Sequence, residues 1–143
     1  MGALKELQDE GKVRHIGVSN VTRDHLSRAQ SIVDVVSVQN NYSVGRRDSE
    51  DVLDVCEQQG IAFIPWYPIA SGDLARPGGA LERIATEHGA TPAQVSLAWL
   101  FHRSPVMIPI PGTSSVSHLE ENVAARDLEL TDDDLKQIED AVG

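Results

Sequence analysis

One cysteine stands in 143 residues. Cys56 has no partner for an intramolecular disulfide, and a lone thiol suits a reducing compartment. Basic side chains are scarce: 12 Lys and Arg face 22 Asp and Glu, a formal net charge of −10. Nucleic acid and anionic membrane both need a positive surface, so this balance argues against either as a general partner and leaves room only for a local anion site. No apolar run approaches the roughly 20 residues that span a bilayer. No charged-then-apolar signal segment opens the sequence, so the expected compartment is the cytoplasm. There is no His–Glu metal spacing, no Cys pair and no Ser/His/Asp order, so neither a metal nor a nucleophilic triad is expected. No Gly-rich G-x-G-x-x-G turn follows the first predicted strand, which leaves a Rossmann half without support. No low-complexity linker divides the chain. The remainder is ordinary globular composition, 41% hydrophobic and 24% charged, in a length that suits one domain with a real core.

What is present is an alternation of helices and apolar strands. Leu4, Leu7 and Val13 form an apolar stripe on a short opening helix, with Gly11 at its C′ position. "RHIGVSN" then reads as a strand entering a loop. Helices follow at 22–32 with Thr22 as N-cap, at 48–60 with Asp48 or Ser49 as cap and Gly60 as terminator, at 78–90, at 91–104 with Thr91 as cap and Pro92 at its first position, at 115–127, and at 131–143. Strands are expected near 14–18, 34–39, 61–66 and 106–109. These runs are nearly all apolar, so both faces are buried, as in parallel strands covered by helices. The fold class is therefore α/β, with parallel strands alternating with helices.

In such folds chemistry gathers at the C-terminal ends of the strands. Four loops lie there: "VSN" (18–20), "VQNNYS" (38–43), "WYPIASGDLA" (66–75) and "PIPGTSS" (109–115). Ser19 and Asn20 either hydrogen-bond an amide or cap the next helix. Gln39 binds an amide or a neighbouring backbone group. Trp66 stacks on a flat heterocycle or fills the core. "PGTSS" is an anion cradle at a helix N-terminus or an ordinary capping loop.

Taken in order, "GKVRHIGVSN", "QNNYS", "GIAFIPWYPIASGDLA" and "IPGTSSVSHLEEN" resemble the aldo-keto reductases over essentially the whole chain. The resemblance implies strands five to eight of a (β/α)₈ TIM barrel, with residues 1–143 as one C-terminal half-barrel domain of a truncated NADP-dependent oxidoreductase. It implies NADP(H) as cofactor for carbonyl reduction or alcohol oxidation, with no metal. By position, Ser19, Asn20 and Gln39 match residues that hold the nicotinamide carboxamide, and Trp66 matches the aromatic that stacks on the ring. Pro68, Ile69, Ser71, Gly72 and Leu74 fall in the loop around the diphosphate. Gly112, Thr113 and Ser114 match the segment at the adenosine phosphate, His118 falls where some members place an arginine, and Glu121 and Asn122 match adenine contacts. Gly112 stands where part of the family has a lysine. A neutral His is a weaker partner for a 2′-phosphate than a bidentate Arg, so NAD(H) is not excluded.

The same resemblance places the family's catalytic Asp, Tyr, Lys and His on the first four strands, outside "HIGVSN" to "VMIPI". Tyr42 and Tyr67 are the only tyrosines, and neither has a Lys near it in sequence. Tyr67 directly follows Trp66, so a regular strand would point it elsewhere. His15, His25, His88, His102 and His118 are scattered. The chain is therefore expected to be inactive alone, with no catalytic residue of its own. Three readings stay open: a reductase by descent that keeps its cofactor motifs, half of a split enzyme completed by another chain, or a non-catalytic truncated chain or assembly partner. Half a barrel also exposes Val18, Val36, Val38, Ile64 and Ile108 as candidates for an uncovered inner face, and leaves two strand edges open. A homodimer or a complementary half-barrel chain is the expected closure.

Overall fold

The computed structural model describes residues 1–69 and 77–142. Helix α1 (Gly2–Asp9) leads into β1 (Ile16–Ser19), α2 (Arg23–Gln30), β2 (Val35–Gln39), α3 (Glu50–Gln59) and β3 (Ala62–Phe63). Then come α4 (Ala80–His88), α5 (Pro92–Arg103), α6 (Val116–Ala124) with a closing 3₁₀ turn, and α7 (Asp132–Val142). Local chemistry sets the boundaries. The Thr22 side chain accepts the His25 N–H and starts α2. Thr91 and Gln94 form a reciprocal capping box ahead of α5, with Pro92 where no N–H is needed. Gly60 and Gly89 end α3 and α4 in the left-handed conformation, at φ 67° and 62°.

β1, β2 and β3 lie side by side in chain order, all parallel. Val18, Val38 and Phe63 share one register row, which Met107 extends. Val38, Phe63 and Met107 are buried in the core, and Val18 packs against it. Alternation turns the neighbouring rows, Gly17–Ser37–Ala62 and Ser19–Gln39, to the other face. Of the five residues expected on an uncovered face, Val36 and Ile108 are exposed and Val18 and Ile64 are half-buried. Alternation turns only some of the five to that face: Val18 and Val38 lie in the core row, and Val38 is fully buried.

Gly17 is required by a close approach. A Cβ there would meet Ser37 Oγ at 2.3 Å and the Ser37 carbonyl at 3.1 Å. Gly17→Ala is expected to cost about 1 kcal/mol as an overpacked site. In a Ser37→Ala background the cost should fall by more than half, because the hydroxyl is the nearer obstacle. Urea midpoints of the four chains measure this.

The expected third and fourth strands are shorter than their apolar runs. β3 spans two residues, and the run at 106–109 makes one parallel bridge, Phe63 to Met107. Phe63 N–H donates to the Val106 carbonyl and Ile108 N–H to the Phe63 carbonyl, each at 2.8 Å. Prolines stop the ladder: Pro65, Pro109 and Pro111 have no N–H to extend it.

The core holds its polar groups in pairs. Trp99, not Trp66, is the core tryptophan; it stacks on Tyr42 at 6.1 Å and takes the Arg47 guanidinium 4.5 Å above its ring. Arg47 also makes a two-pronged ion pair with Glu139. Arg103 gathers Glu50, Asp54 and Glu57.

Candidate functional site

The loops after the parallel strands emerge at one end of the sheet, and the first three are tied together there. Ser19 Oγ donates to the Gln39 carbonyl at 3.0 Å. Asn20 Nδ2 donates to Ser19 Oγ at 3.1 Å, and Asn20 Oδ1 accepts the Trp66 indole N–H at 3.0 Å. The expected Ser19, Asn20, Gln39 and Trp66 therefore form one connected cluster. Asn20 sits at φ 54°, a left-handed conformation that asparagine tolerates better than most residues. The helix cap belongs to Thr22, so Ser19 and Asn20 are free of that duty.

This wiring leaves bonding capacity. Among the described residues, Asn20 keeps one amide N–H and one oxygen lone pair beyond the bonds above. One donor and one acceptor are what a carboxamide ligand requires. Trp66 is half-buried, with its N–H tethered and its ring plane fixed by that tether. Tyr67 is 70% exposed, and its ring stands perpendicular to Trp66 at 6.3 Å. The expectation for Tyr67 held only for a regular strand, and the backbone is left-handed at Tyr67, φ 60°, so that alternation does not apply there.

A second group of expected residues lies at the start of α6. Ser115 caps the helix by accepting the His118 N–H, and Thr113 Oγ1 accepts the Ser115 N–H at 3.1 Å. "PGTSS" thus does cap the helix. The Val116 and Ser117 N–H groups point from the same first turn, where the helix carries partial positive charge. Gly112, Thr113, Ser114 and His118 are exposed. A Cβ at Gly112 would meet nothing within 4 Å, so a longer side chain is sterically admitted. Glu121 is half-buried and its carbonyl accepts from Gln94 Nε2. Asn122 lines an apolar groove with Leu97, Phe101, Pro109 and Leu119. Strand direction puts this group at the same end of the sheet as Trp66, with no hydrogen bond between the two groups among the described residues. Pro68 is buried and Ile69 packs against the core; Ser71, Gly72 and Leu74 lie outside the described residues.

Tyr42 is fully buried, its hydroxyl donates to Glu50 Oε2 at 2.5 Å, and burial followed by that carboxylate pushes its pKa above the ordinary phenol range. Among the described residues no group of three or more His, Cys, Asp or Glu is placed to hold a metal, and no helix is long and apolar enough to cross a membrane. Sequence reasoning passed over Asn40, which is 3% exposed and bonded to three groups. Its neighbours Gln39 and Asn41 carry similar side chains, and nothing in "QNN" marks which one turns inward.

The Aldo/keto reductase family profile matches residues 1–142. An uncharacterised oxidoreductase of Schizosaccharomyces pombe is 49% identical over 128 residues, covering 90% of this chain and 42% of that protein. Pyridoxine 4-dehydrogenase of Escherichia coli is 43% identical over 136 residues, covering 95% of this chain and 47% of that protein. Among solved structures, a thermostable aldo-keto reductase in complex with the inhibitor epalrestat superposes with a TM-score of 0.87 at 33% identity, over 99% of this chain and 53% of its own. An aldo-keto reductase from Klebsiella pneumoniae in complex with NADPH gives 0.84 at 30% identity, over 96% and 51%. This chain spans about half the length of the curated relatives it matches.

Proposed function

The chain belongs to the aldo/keto reductase family, and from that premise we propose that it forms the nicotinamide-holding half of an NADP(H)-dependent carbonyl reductase or alcohol oxidoreductase. The observation that carries this reading is the Ser19–Asn20–Trp66 chain of hydrogen bonds, which among the described residues leaves an amide donor and an acceptor open beside a half-exposed indole. The NADPH held by the Klebsiella pneumoniae neighbour supports the same cofactor class. Bound cofactor would supply or accept hydride. Asn20 and Gln39 would hold the carboxamide, Trp66 would stack on the ring, and "GTSS" with the first turn of α6 would meet the adenosine phosphate.

Binding to this chain alone should be weak, since a ligand held from one side loses contacts while its ordering cost remains. Titration with NADPH to millimolar concentration is expected to quench tryptophan emission, and Trp66→Phe to abolish the quench while Trp99 still emits. A folded chain that shows no quench would overturn the cofactor reading. Gly112 and His118 offer no fixed positive charge to a 2′-phosphate, so NADH should compete well. His118→Arg is expected to tighten NADPH by more than it tightens NADH.

Residues 1–143 act in this reading as one domain, in the cytoplasm, with an additional half needed to cover the open sheet. Among the described residues, β1 pairs only with β2, and the segment at Met107 bridges only to Phe63, so each leaves one edge open. Ile108 is 53% exposed and Ile110 45%. A two-fold axis along the barrel would bring β1 of one copy beside the 106–109 segment of another, parallel, and close the ring; a chain carrying a complementary half would do the same. Light scattering at micromolar concentration is expected to give a dimer or larger species, and a monodisperse, cooperatively folding monomer would refute the closure.

A further inference from the structure

The indole of Trp66 is held at one remove by a side chain that would touch no ligand. We propose that Asn40 is the positioning residue of this site: its buried amide locks the loop after β1 to the loop after β2, and so fixes Asn20 as the acceptor that orients the Trp66 ring. The inference rests on the nicotinamide reading above only for what the ring is used for; the positioning itself is a property of the free chain.

The geometry is a closed clamp. Asn40 Oδ1 accepts the Val21 N–H at 3.0 Å, and Asn40 Nδ2 donates to the Val21 carbonyl at 2.7 Å. The side-chain amide thus pairs with a backbone residue as a neighbouring strand would. Nδ2 also donates to Ser49 Oγ at 3.2 Å, which anchors the clamp to the start of α3. This accounts for Ser49 making no cap bond of its own, although it stands at the N-cap of that helix. The main chain of Asn40 completes the tie, because its carbonyl accepts the Trp66 N–H at 3.0 Å. Val21 directly follows Asn20, whose left-handed backbone needs an outside restraint. Two bonds on Val21 supply it from one side, and the Asn20 N–H donating to the Gln39 carbonyl at 2.9 Å supplies it from the other. Without the Asn40 amide, the Asn20 side chain loses its fixed origin and the indole N–H loses a fixed acceptor.

Val21 needs a donor and an acceptor on one short planar group, which the amide supplies at every pH. Aspartate has the same shape but, ionised, has no donor and sets a carboxylate against the Val21 carbonyl. Protonated, it regains an O–H donor. The charged groups lining the same cleft are Arg46, Asp48 and Asp51, of which Arg46 and Asp48 pair with each other. Burial and the surplus acid both favour the neutral form of an aspartate at this place.

The test reads the two indole N–H resonances of the full chain, without ligand, in ¹H–¹⁵N spectra. In Asn40→Ala the Trp66 resonance is expected to move and its exchange with solvent to rise on the order of tenfold, the loss of about one net hydrogen bond. The Trp99 resonance should stay, which separates a loosened site from a loosened fold. Asn40→Asp, the isosteric variant, guards against an alanine chain that fails to fold. Its Trp66 resonance should be displaced at pH 8 and return toward the parent position on acidification. A Trp66 resonance that coincides with the parent in Asn40→Asp at a pH where the carboxyl ¹³C shift shows the introduced group ionised would overturn the proposal, as would an unmoved Trp66 resonance in a folded Asn40→Ala chain. Failure of the NADPH titration in the parent chain would remove the cofactor reading and leave this result standing.

Discussion

Replacing Asp134 with alanine is expected to lower stability by about 3 kcal/mol, the cost of stripping an acceptor from several buried or half-buried donors. Asp134 is 2% exposed. Its Oδ2 accepts the Thr131 N–H at 2.8 Å and the Thr131 hydroxyl at 2.7 Å, and lies 2.8 Å from His88 Nε2. Thr131 Oγ1 in turn accepts the Asp134 N–H. One carboxylate therefore closes the N-terminus of α7 and fastens it to the end of α4. Burial alone would raise its pKa; the Thr131 hydroxyl and N–H and then His88 outweigh burial and hold it below the ordinary value. The sign for stability follows from that depression. The folded state holds the ionised form more firmly than the unfolded chain does. The contribution is therefore complete above the unfolded value of about 3.9 and is lost as pH falls through the lower folded value. Glu139, lowered by its ion pair with Arg47, acts in the same direction. Asp134→Asn, close in shape, should flatten the fall in stability between pH 5 and pH 3. Urea midpoints across that range check it, and an unchanged slope would assign acid sensitivity to other carboxylates.

Asp134 also shows where sequence reading stops. "TDDD" reads as three acids favouring a helix N-terminus, which is correct for α7, yet only one of them is buried and paired. Which of three successive aspartates turns inward depends on α4, 46 residues away in the chain. The same limit applies to Asn40 among its similar neighbours. Helix limits were legible because their causes are local: Thr22, Thr91, Pro92 and Gly60 each do what their chemistry dictates. The apolar runs marked parallel strands but overstated the third and fourth, since the prolines that end the ladder were present in those runs and outweigh their hydropathy. At the site, Ser19, Asn20, Gln39 and Trp66 were legible as a set through family order. Their mutual hydrogen bonds were not, because the left-handed turn at Asn20 follows from the packing of three loops rather than from "VSN" itself.

Activity carries the largest expected effect. Purified as a single chain, the protein is expected to show no aldehyde reduction by NADPH above the buffer blank, even where the cofactor binds. Reduction needs a proton delivered to the carbonyl oxygen as hydride arrives, and the group that delivers it must lie within hydrogen-bond reach with a suitable pKa. General acid assistance is worth about 10²–10⁴-fold, and correct positioning adds to it. The described residues offer two phenols. Tyr42 is buried, committed to Glu50 and shifted away from ionisation. Tyr67 stands at the C-terminal end of the strands and is 70% exposed. Of the three lysines, Lys5 and Lys12 pair with Asp9 and Glu10, and Lys136 rides on α7. Tyr67→Phe and Tyr42→Phe should therefore leave the blank rate unchanged. Measurable turnover in the parent chain that disappears in either variant would show that a proton donor is present after all, and would move the catalytic site onto this half of the barrel.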